Sequence, residues 1–124
     1  MKCFGVDVGG TTVKMGLFEE DGTILDKWEI ATDISEEGKA ILPNIAASLE
    51  KKIEEHGLLK EDIIGVGVGV PAPVTSEGIV NGSANLGWKY KEVKRELEEM
   101  TGRTYSRIHI VGGGSNAGYL NELT

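Results

Sequence analysis

The sequence has few of the residues that build disulfides and metal sites: one cysteine and two histidines among 124 residues. A lone cysteine, Cys3, excludes an internal disulfide, and we expect it to be a small buried residue of the first strand rather than a nucleophile. His56 and His109 lie far apart and have no cysteine beside them. The sequence therefore predicts no metal-ligand cluster and no zinc site.

Long apolar runs and clusters of positive charge are absent as well. No run reaches the length that spans a membrane and no signal peptide is apparent, so we expect a cytoplasmic protein without a membrane partner. The 20 acidic and 13 basic residues give a net charge of −7, and without a basic cluster this balance argues against a nucleic-acid partner. The length fits a single domain over residues 1–124 with one core.

Glycine, by contrast, is abundant. The chain contains 18 glycines, roughly twice the usual share of about 7%. They lie at strand ends and turns rather than in a linker, so each one permits a particular turn or close approach. The phosphate-loop pattern G-x-x-x-x-G-K-[ST] is absent.

The stretch around which the chain is organised is residues 4–17, FGVDVGGTTVKMGL. An apolar run reaches Asp7, passes through two glycines and two threonines, and continues as a segment of alternating apolar residues. The order is strand, tight turn, strand, which predicts a β-hairpin rather than a strand–loop–helix unit. One face of the second strand is predicted to carry Val13, Met15 and Leu17.

A hairpin turn of this composition is able to bind phosphate. Glycines permit positive φ and close backbone approach, so several N–H groups can point into one concavity. Asp7, at the end of the first strand, is a candidate ligand for hydrated Mg²⁺, which prefers one or two carboxylates together with waters and phosphate. The alternative is an ordinary Gly-Gly turn in which Asp7 bonds to its own backbone. The predicted phosphate-binding residues are Gly9, Gly10, Thr11, Thr12 and Lys14.

The rest of the chain alternates helical and strand patterns. Strands are predicted over 23–30, 63–70 and 108–111, with a short one at 79–80. In the strand over 63–70 the glycines alternate strictly, which predicts one face made of Ile64, Val66, Val68 and Val70.

Two amphipathic helices are predicted between these strands. The first has a capping-box pattern from Asp33 to Glu36 and an apolar stripe over 41–53, in which Pro43 marks either a kink or a late start. The second runs from Trp88 to Met100, and a last short helix follows over 115–123. The order β-β-β-α-β-α-β-α predicts an α/β fold with a mixed five-stranded sheet.

The hairpin carries a family resemblance. Asp7-x-Gly9-Gly10-Thr11-x-x-Lys14 resembles the first phosphate motif of the sugar kinase and actin superfamily. The surrounding FGVDVGGTTVKMGLFEEDG resembles bacterial glucokinases of the ROK (repressor, open reading frame, kinase) family. This resemblance implies the ribonuclease H-like fold of actin-like ATPases, Mg-ATP as cofactor, and a nucleotide and a hexose as ligands.

The resemblance extends to about Arg103 and includes 65–73 and 81–88. In that family the proline-ended strand and the Asn-Leu-Gly-Trp segment line the hexose pocket, which makes Gly82 and Asn85 candidate sugar contacts. Trp88 is expected to anchor the loop in the core. A polar residue such as Asn85 at a turn also occurs without any ligand.

The family pattern breaks after Arg103. It continues there with a strand ending in Asp-Asn-Asp, whose second aspartate takes the proton from the sugar's 6-hydroxyl as that oxygen attacks the γ-phosphate. In this chain the slot reads Gly112-Gly113-Gly114. Glycine has no proton-accepting group, so we predict no catalytic residue and no activity of this chain alone.

The replacement has a resemblance of its own. Residues 105–115, YSRIHIVGGGS, resemble the adenosine-site segment of FGGY carbohydrate kinases, rhamnulokinases in particular. The resemblance implies an adenosine-like loop at Gly112, Gly113 and Gly114, and it suggests a chimera joined near residue 103. If the last strand pairs beside the fourth, these glycines occupy the former catalytic position instead.

Two functions follow. The first is the N-terminal domain of an ATP-dependent glucokinase, with the second kinase domain absent and Mg-ATP binding weak or lost. The alternative is a non-catalytic, possibly engineered module that folds alone and forms a homodimer through its exposed inter-domain face. A weak Mg-nucleotide binder that uses the hairpin alone lies between the two.

Overall fold

The computed structural model describes residues 1–102 and 107–112. Within these ranges, five strands form the main sheet: β1 (Lys2–Val8), β2 (Thr12–Glu19), β3 (Ile24–Ala31), β4 (Ile63–Gly69) and β7 (Ile108–Val111). A small ribbon pairs β5 (Ile79–Val80) with β6 (Lys91–Glu92). The helical segments are α1 (Ser35–Gly38), α2 (Ile41–Glu55) and α3 (Val93–Met100), with a single 3-10 turn at Lys60–Asp62.

β1 is the central strand of the main sheet, whose order is β3-β2-β1-β4-β7. It pairs antiparallel with β2 and parallel with β4, and β4 pairs parallel with β7. The predicted mixed five-stranded sheet is confirmed. The predicted element order is present through β7, including the short strand at 79–80 (β5), with α1 and β6 in addition, and the predicted helix over 115–123 lies outside the described residues.

The core lies on one face of this sheet. Alternate residues of each strand point toward it, and α2 and α3 cover it with their apolar sides. The face predicted for β2 is confirmed. Among the buried residues of this core are Phe4, Val6, Val8, Val13, Met15, Leu17, Ile41, Ile45, Leu49, Ile53, Val66, Val68, Val93 and Leu97.

Ile64 lies on the opposite face from the one that the sequence predicts. The register of β4 against β1 skips one residue near the start of the pair, which leaves Ile64 as the extra residue of a β-bulge. Ile63 therefore joins the main core, whereas Ile64 packs beside buried Cys3 and Phe18 on the other face. Because the bulge inserts one residue, the residues of β4 that precede it point to the opposite face from the one that alternation predicts. The alternation of the sequence does not reveal where such a bulge lies.

The first long helix begins later than the capping-box pattern predicts. Pro43 is the third residue of α2 and marks the late start, a position that needs no N–H donor. The Asp33 carboxylate instead accepts hydrogen bonds from the backbone N–H of Ser35 (3.1 Å) and from its hydroxyl. Glu36 has a φ of 51°, so the backbone leaves the helical region there and the predicted box is not formed.

The second helix also begins later than predicted. It starts at Val93 rather than Trp88, because the two residues before it pair with β5 as strand β6. Tyr90, which falls inside the predicted helix, is 58% exposed and precedes the observed one. A two-residue ribbon is too short to leave a periodic signal in the sequence.

Asp26 of β3 holds helix α2 against the edge of the sheet. Its Oδ2 accepts a hydrogen bond from Lys52 Nζ (2.9 Å) and lies 2.9 Å from His56 Nε2. Lys52 Nζ also lies 4.7 Å from the centre of the Trp28 ring, whose Nε1–H donates to the Ser48 hydroxyl (2.8 Å). The bond with His56, and that with Lys52, keep the pKa of Asp26 below its usual value.

Replacement of Asp26 is expected to destabilise the fold in a pH-dependent way. Asp26→Asn should lower the free energy of unfolding at pH 7 by about 1 kcal/mol, because it removes the charge that both partners face. Since the folded pKa is lowered, this stabilisation is complete above the unfolded pKa of about 3.9 and is lost as the pH falls through the folded value. Urea unfolding between pH 7 and about pH 2 measures the difference.

The control is Glu29→Gln on the same strand, whose exposed side chain has no partner among the described residues. It should leave the free energy of unfolding unchanged within about 0.5 kcal/mol. Equal stability of Asp26→Asn and the parent chain at pH 7, or a difference that persists at acid pH, would show that the carboxylate does not hold the helix.

Candidate phosphate- and sugar-binding site

The carboxyl ends of three parallel strands meet at one edge of the sheet, the position at which α/β sheets bind ligands. The strand register aligns Lys14 of β2, Asp7 of β1 and Gly69 of β4 in one row, which ends at Val111 of β7. Gly112 follows directly, so it lies at the same edge as the hairpin, two strands or about 10 Å from β1. The sequence left open whether the last strand pairs beside the fourth, and the structure shows that it does.

The hairpin turn is closed by one backbone hydrogen bond, in which the Gly9 N–H donates to the Thr12 carbonyl (2.9 Å). A Cβ on Gly9 would lie only 2.9 Å from that oxygen, so the turn requires glycine there for space. Neither Gly9 nor Gly10 has a positive φ. The close approach that the sequence predicts is therefore present, whereas the conformational freedom of these two glycines is not used.

Thr32, directly after β3, holds two carbonyls of the same turn. Its N–H donates to the Thr11 carbonyl (2.9 Å) and its hydroxyl donates to the Gly9 carbonyl (2.7 Å). No acceptor in the described part of the chain bonds to the N–H of Gly10 or Thr11. Both residues are exposed, so two consecutive N–H groups are available for an anion.

Asp7 and Lys14 lie opposite each other in the β1–β2 ladder, on the sheet face away from the main core. Both are half-buried. Among residues 1–102 and 107–112, neither forms an ion pair within 4.0 Å, and Asp7 does not bond to its own turn. A partly buried charge without a partner is unfavourable, and a phosphate with its cation would supply a partner to each.

The loop over 81–88, here called the sugar loop, closes on itself and reaches the hairpin. Ser83 and Trp88 exchange two backbone hydrogen bonds, of 2.9 and 3.1 Å. A Cβ placed on Gly10 would lie 3.4 Å from the Asn85 carbonyl oxygen and 3.6 Å from the Asn85 Cβ. The fold therefore brings a predicted sugar contact next to a predicted phosphate-binding residue.

The polar groups of the sugar loop differ in exposure. Gly82 and Asn85 are both exposed, as a ligand contact requires. Ser83 is buried, at 6% exposure, and its hydroxyl has no hydrogen-bond partner among the described residues. Sequence reasoning selected neither Ser83 nor Thr32; the only available signal for Thr32 was a hydroxyl residue at the end of a strand that reaches the hairpin's edge.

Trp88 anchors the sugar loop, as predicted. It is 4% exposed, and its Nε1–H donates to the Gly38 carbonyl (3.2 Å). Gly38 has a φ of 70°, and a Cβ there would overlap with the Leu86 carbonyl oxygen. The end of α1 and the sugar loop are thus in backbone-to-backbone contact, which only glycine allows.

Gly112 packs against the loop that follows β4. A Cβ on it would lie 2.9 Å from the Ala72 carbonyl oxygen and 3.4 Å from the Pro73 Cα. Gly112 therefore has a packing reason to be glycine that is independent of any nucleotide. Gly113 and Gly114 lie outside the described residues, so the adenosine-like loop stays a prediction.

Metal clusters and membrane-spanning helices are both absent from the described residues. In the described ranges, no group of three or more His, Cys, Asp or Glu side chains is arranged to hold a metal ion. A Mg²⁺ at Asp7 would thus have a single protein carboxylate and depend on phosphate and water oxygens, a set that Mg²⁺ accepts. No helix in the same part of the chain is long and apolar enough to cross a bilayer.

A side chain at Gly38 is expected to displace the sugar loop. Gly38→Ala should lower the free energy of unfolding by about 2–4 kcal/mol, because alanine is strained at this φ and its Cβ overlaps with the Leu86 carbonyl. Urea unfolding measures the loss, and amide NMR shifts over 81–88 report the displacement.

Gly57→Ala is the matched control. Gly57 has a similar φ of 64° but nothing within 4 Å of a Cβ, so only the conformational strain of about 1 kcal/mol applies. Equal losses for the two variants would contradict the close packing of Gly38 on the loop.

Comparison with known proteins identifies the family. A sequence profile of the ROK family matches residues 3–111. A curated glucokinase of Halalkalibacterium halodurans is 43% identical over 120 residues, which is 96% of this chain and 35% of that protein. The chain thus spans about a third of that relative's length. Because this similarity extends well past residue 103, it gives no support to an FGGY-like segment or a chimera.

Solved structures agree in fold. The ROK hexokinase from Thermus thermophilus superposes with a TM-score of 0.71 at 27% identity, over 90% of this chain and 35% of that one. A ROK family glucokinase from Streptomyces griseus, in complex with glucose and AMPPNP, gives 0.70 at 28% identity, over 90% and 32%. The predicted ribonuclease H-like fold class is confirmed. The chain belongs to the ROK family and is related to its glucokinases.

Proposed function

We propose that this chain is the N-terminal domain of a hexose kinase that transfers the γ-phosphoryl group of Mg-ATP to the 6-hydroxyl of glucose. The observation that carries the proposal is the pair of half-buried, uncommitted charges Asp7 and Lys14 beside the free N–H groups of Gly10 and Thr11. Anions bind where backbone N–H groups and a cation converge. The 43% identity to a glucokinase supports the choice of glucose.

Each residue of the hairpin has a separate role in binding the nucleotide. The N–H groups of Gly10 and Thr11 and the Lys14 ammonium contact phosphate oxygens, while the Thr12 hydroxyl adds a donor. The Asp7 carboxylate holds the hydrated Mg²⁺, which neutralises charge on the phosphates when it is bound. Gly9 contributes space, since its close contact with the Thr12 carbonyl closes the turn.

The hexose lies on the sugar loop. Asn85 offers an amide donor and acceptor to a sugar hydroxyl, and Gly82 offers its backbone. Asn85 is beside Gly10, so a hexose on the loop would have its reacting hydroxyl near phosphates on the hairpin. Such proximity is the main contribution that a protein makes to phosphoryl transfer.

We further propose that the 124-residue chain does not phosphorylate glucose by itself. The slot for the general base reads Gly112-Gly113-Gly114, and loss of a general base costs on the order of 10²–10⁴-fold in rate. In addition, the residues proposed to hold the nucleotide lie at one edge of a single sheet, and a nucleotide held on one side is poorly positioned.

We also propose a cytoplasmic location, a homodimer through the inter-domain face, and an adenosine-like role for the glycines after β7. The FGGY-like segment and the chimeric origin stay hypotheses from the sequence and are not needed for the function proposed here. No specific contact favours the non-catalytic module over the kinase domain.

Nucleotide binding at the hairpin is the first test. Titration of the ¹⁵N-labelled chain with Mg-ATP should shift the amides of residues 9–14. Lys14→Ala should weaken the binding on the order of tenfold, because a charge-assisted bond to phosphate is lost. Lys51→Ala, an exposed lysine of α2 without a partner among the described residues, should bind as the parent chain does. Shifts confined to other parts of the spectrum would contradict phosphate binding by the hairpin.

The absence of turnover is tested separately. A coupled assay with glucose, Mg-ATP and the pure chain should show no glucose 6-phosphate above the rate without protein. Phosphorylation that survives in Asp7→Asn would indicate a contaminating kinase. Phosphorylation that Asp7→Asn abolishes would show that this chain is active alone and would overturn the proposal of inactivity.

A further inference from the structure

We infer that Thr32, which lies outside the hairpin, is the positioning residue that orients the phosphate-binding N–H group of Gly10. The inference rests on the proposed function of that turn. Thr32 follows the last residue of β3, and its side-chain hydroxyl and backbone N–H each donate to a carbonyl of the turn. It touches no reacting group itself and acts through the backbone of Gly9 and Thr11.

The first step is the geometry of the peptide bond. In a trans peptide the carbonyl of one residue and the N–H of the next point in opposite directions. The Gly9 carbonyl is directed at the Thr32 hydroxyl, 2.7 Å away, so the N–H of Gly10 points away from Thr32. The Thr11 carbonyl is directed at the Thr32 N–H, 2.9 Å away, so the N–H of Thr12 is likewise turned away.

The second step is that the turn does not need the Thr32 hydroxyl in order to form. β1 and β2 are already paired from Lys2 with Glu19 to Val8 with Val13, and the Gly9–Thr12 bond closes the hairpin. The backbone bond to the Thr11 carbonyl is available to any residue but proline. The hydroxyl bond to the Gly9 carbonyl depends on the side chain, and it fixes the one peptide plane that presents the Gly10 N–H.

The third step is that Thr32 is itself held on both sides. Before it, Ala31 is the register partner of Thr12. After it, the chain continues to Gly38, whose carbonyl accepts the Trp88 indole N–H. Thr32 is half-buried. A hydroxyl carried between two fixed points has little freedom to leave the Gly9 carbonyl, so the orientation of the Gly10 peptide is set before a phosphate arrives.

Thr32→Val tests the inference, since it keeps the branched shape and removes the hydroxyl. Thr32→Ser is the rescue variant, and Thr23→Val, in the β2–β3 turn at the other end of the sheet, is the matched control. Each chain is titrated with Mg-ATP and with inorganic tripolyphosphate while the amides of residues 9–14 are followed by NMR. The ¹⁵N order parameter of the Gly10 amide and the thermal midpoint are measured without ligand.

Thr32→Val is expected to weaken both ligands about five- to tenfold, the equivalent of one hydrogen bond. It should also lower the ¹⁵N order parameter of the Gly10 amide, which is no longer held, and lower the thermal midpoint by about 5 °C or less, as loss of one hydrogen bond does. Thr32→Ser should bind within about twofold of the parent, and Thr23→Val should bind equally. A merely structural role would lower the thermal midpoint but leave the affinity and the Gly10 order parameter unchanged, and that result overturns the inference.

The outcomes separate the inference from the proposed function. If the parent chain binds and Thr32→Val binds equally well, the inference fails and the phosphate site stands, whatever the Gly10 order parameter. If the parent chain gives no shifts at the hairpin with either ligand, the phosphate site fails and the positioning role fails with it.

Discussion

The register of β1 against its two neighbours is the constraint on which the rest of the structure depends. Gly5 is paired with Gly16 on one side and with Gly67 on the other, so one row of the sheet is almost bare backbone on the face away from the core. The next row toward the edge sets Asp7 between Lys14 and Gly69. A shift of one residue in either pairing would turn Asp7 into the apolar core.

That register also explains why the charges at the edge stay available. Lys14 and Asp7 are opposite each other, yet the described structure gives neither an ion pair. Gly69, the register neighbour of Asp7, has no side chain to compete, and Glu29, the register neighbour of Lys14, forms no ion pair with it in the described structure. The helices lie on the other face. At the opposite end of the sheet, Asp26 is fully engaged by Lys52 and His56. Charged residues are therefore paired and hold the fold at one end of the sheet, whereas at the other end Asp7 and Lys14 form no ion pair in the described structure.

The sequence predicted the hairpin that carries the candidate site and the mixed five-stranded sheet, because period-two alternation and glycine turns are local signals. It placed Ile64 on the wrong face, since a bulge depends on the register with a distant strand. It missed the β6 strand and the late start of α3 for a similar reason, as two residues carry no period. The contact of Thr32 with the turn was not predicted, because its hydrogen bond to the Gly9 carbonyl joins residues 23 positions apart.

The connection between β3 and α2 contains strained backbone. Glu36 and Glu37 have φ values of 51° and 60°, in a region that is unfavourable by roughly 1–2 kcal/mol for each non-glycine residue. The strain persists because the chain must run from Thr32, at the hairpin, to Gly38, at the sugar loop, in a few residues. A relaxed helical start at Asp33 would pull Gly38 away from Trp88. The segment therefore keeps the hairpin and the loop over 81–88 at a fixed separation, and the strained backbone is the consequence of holding both.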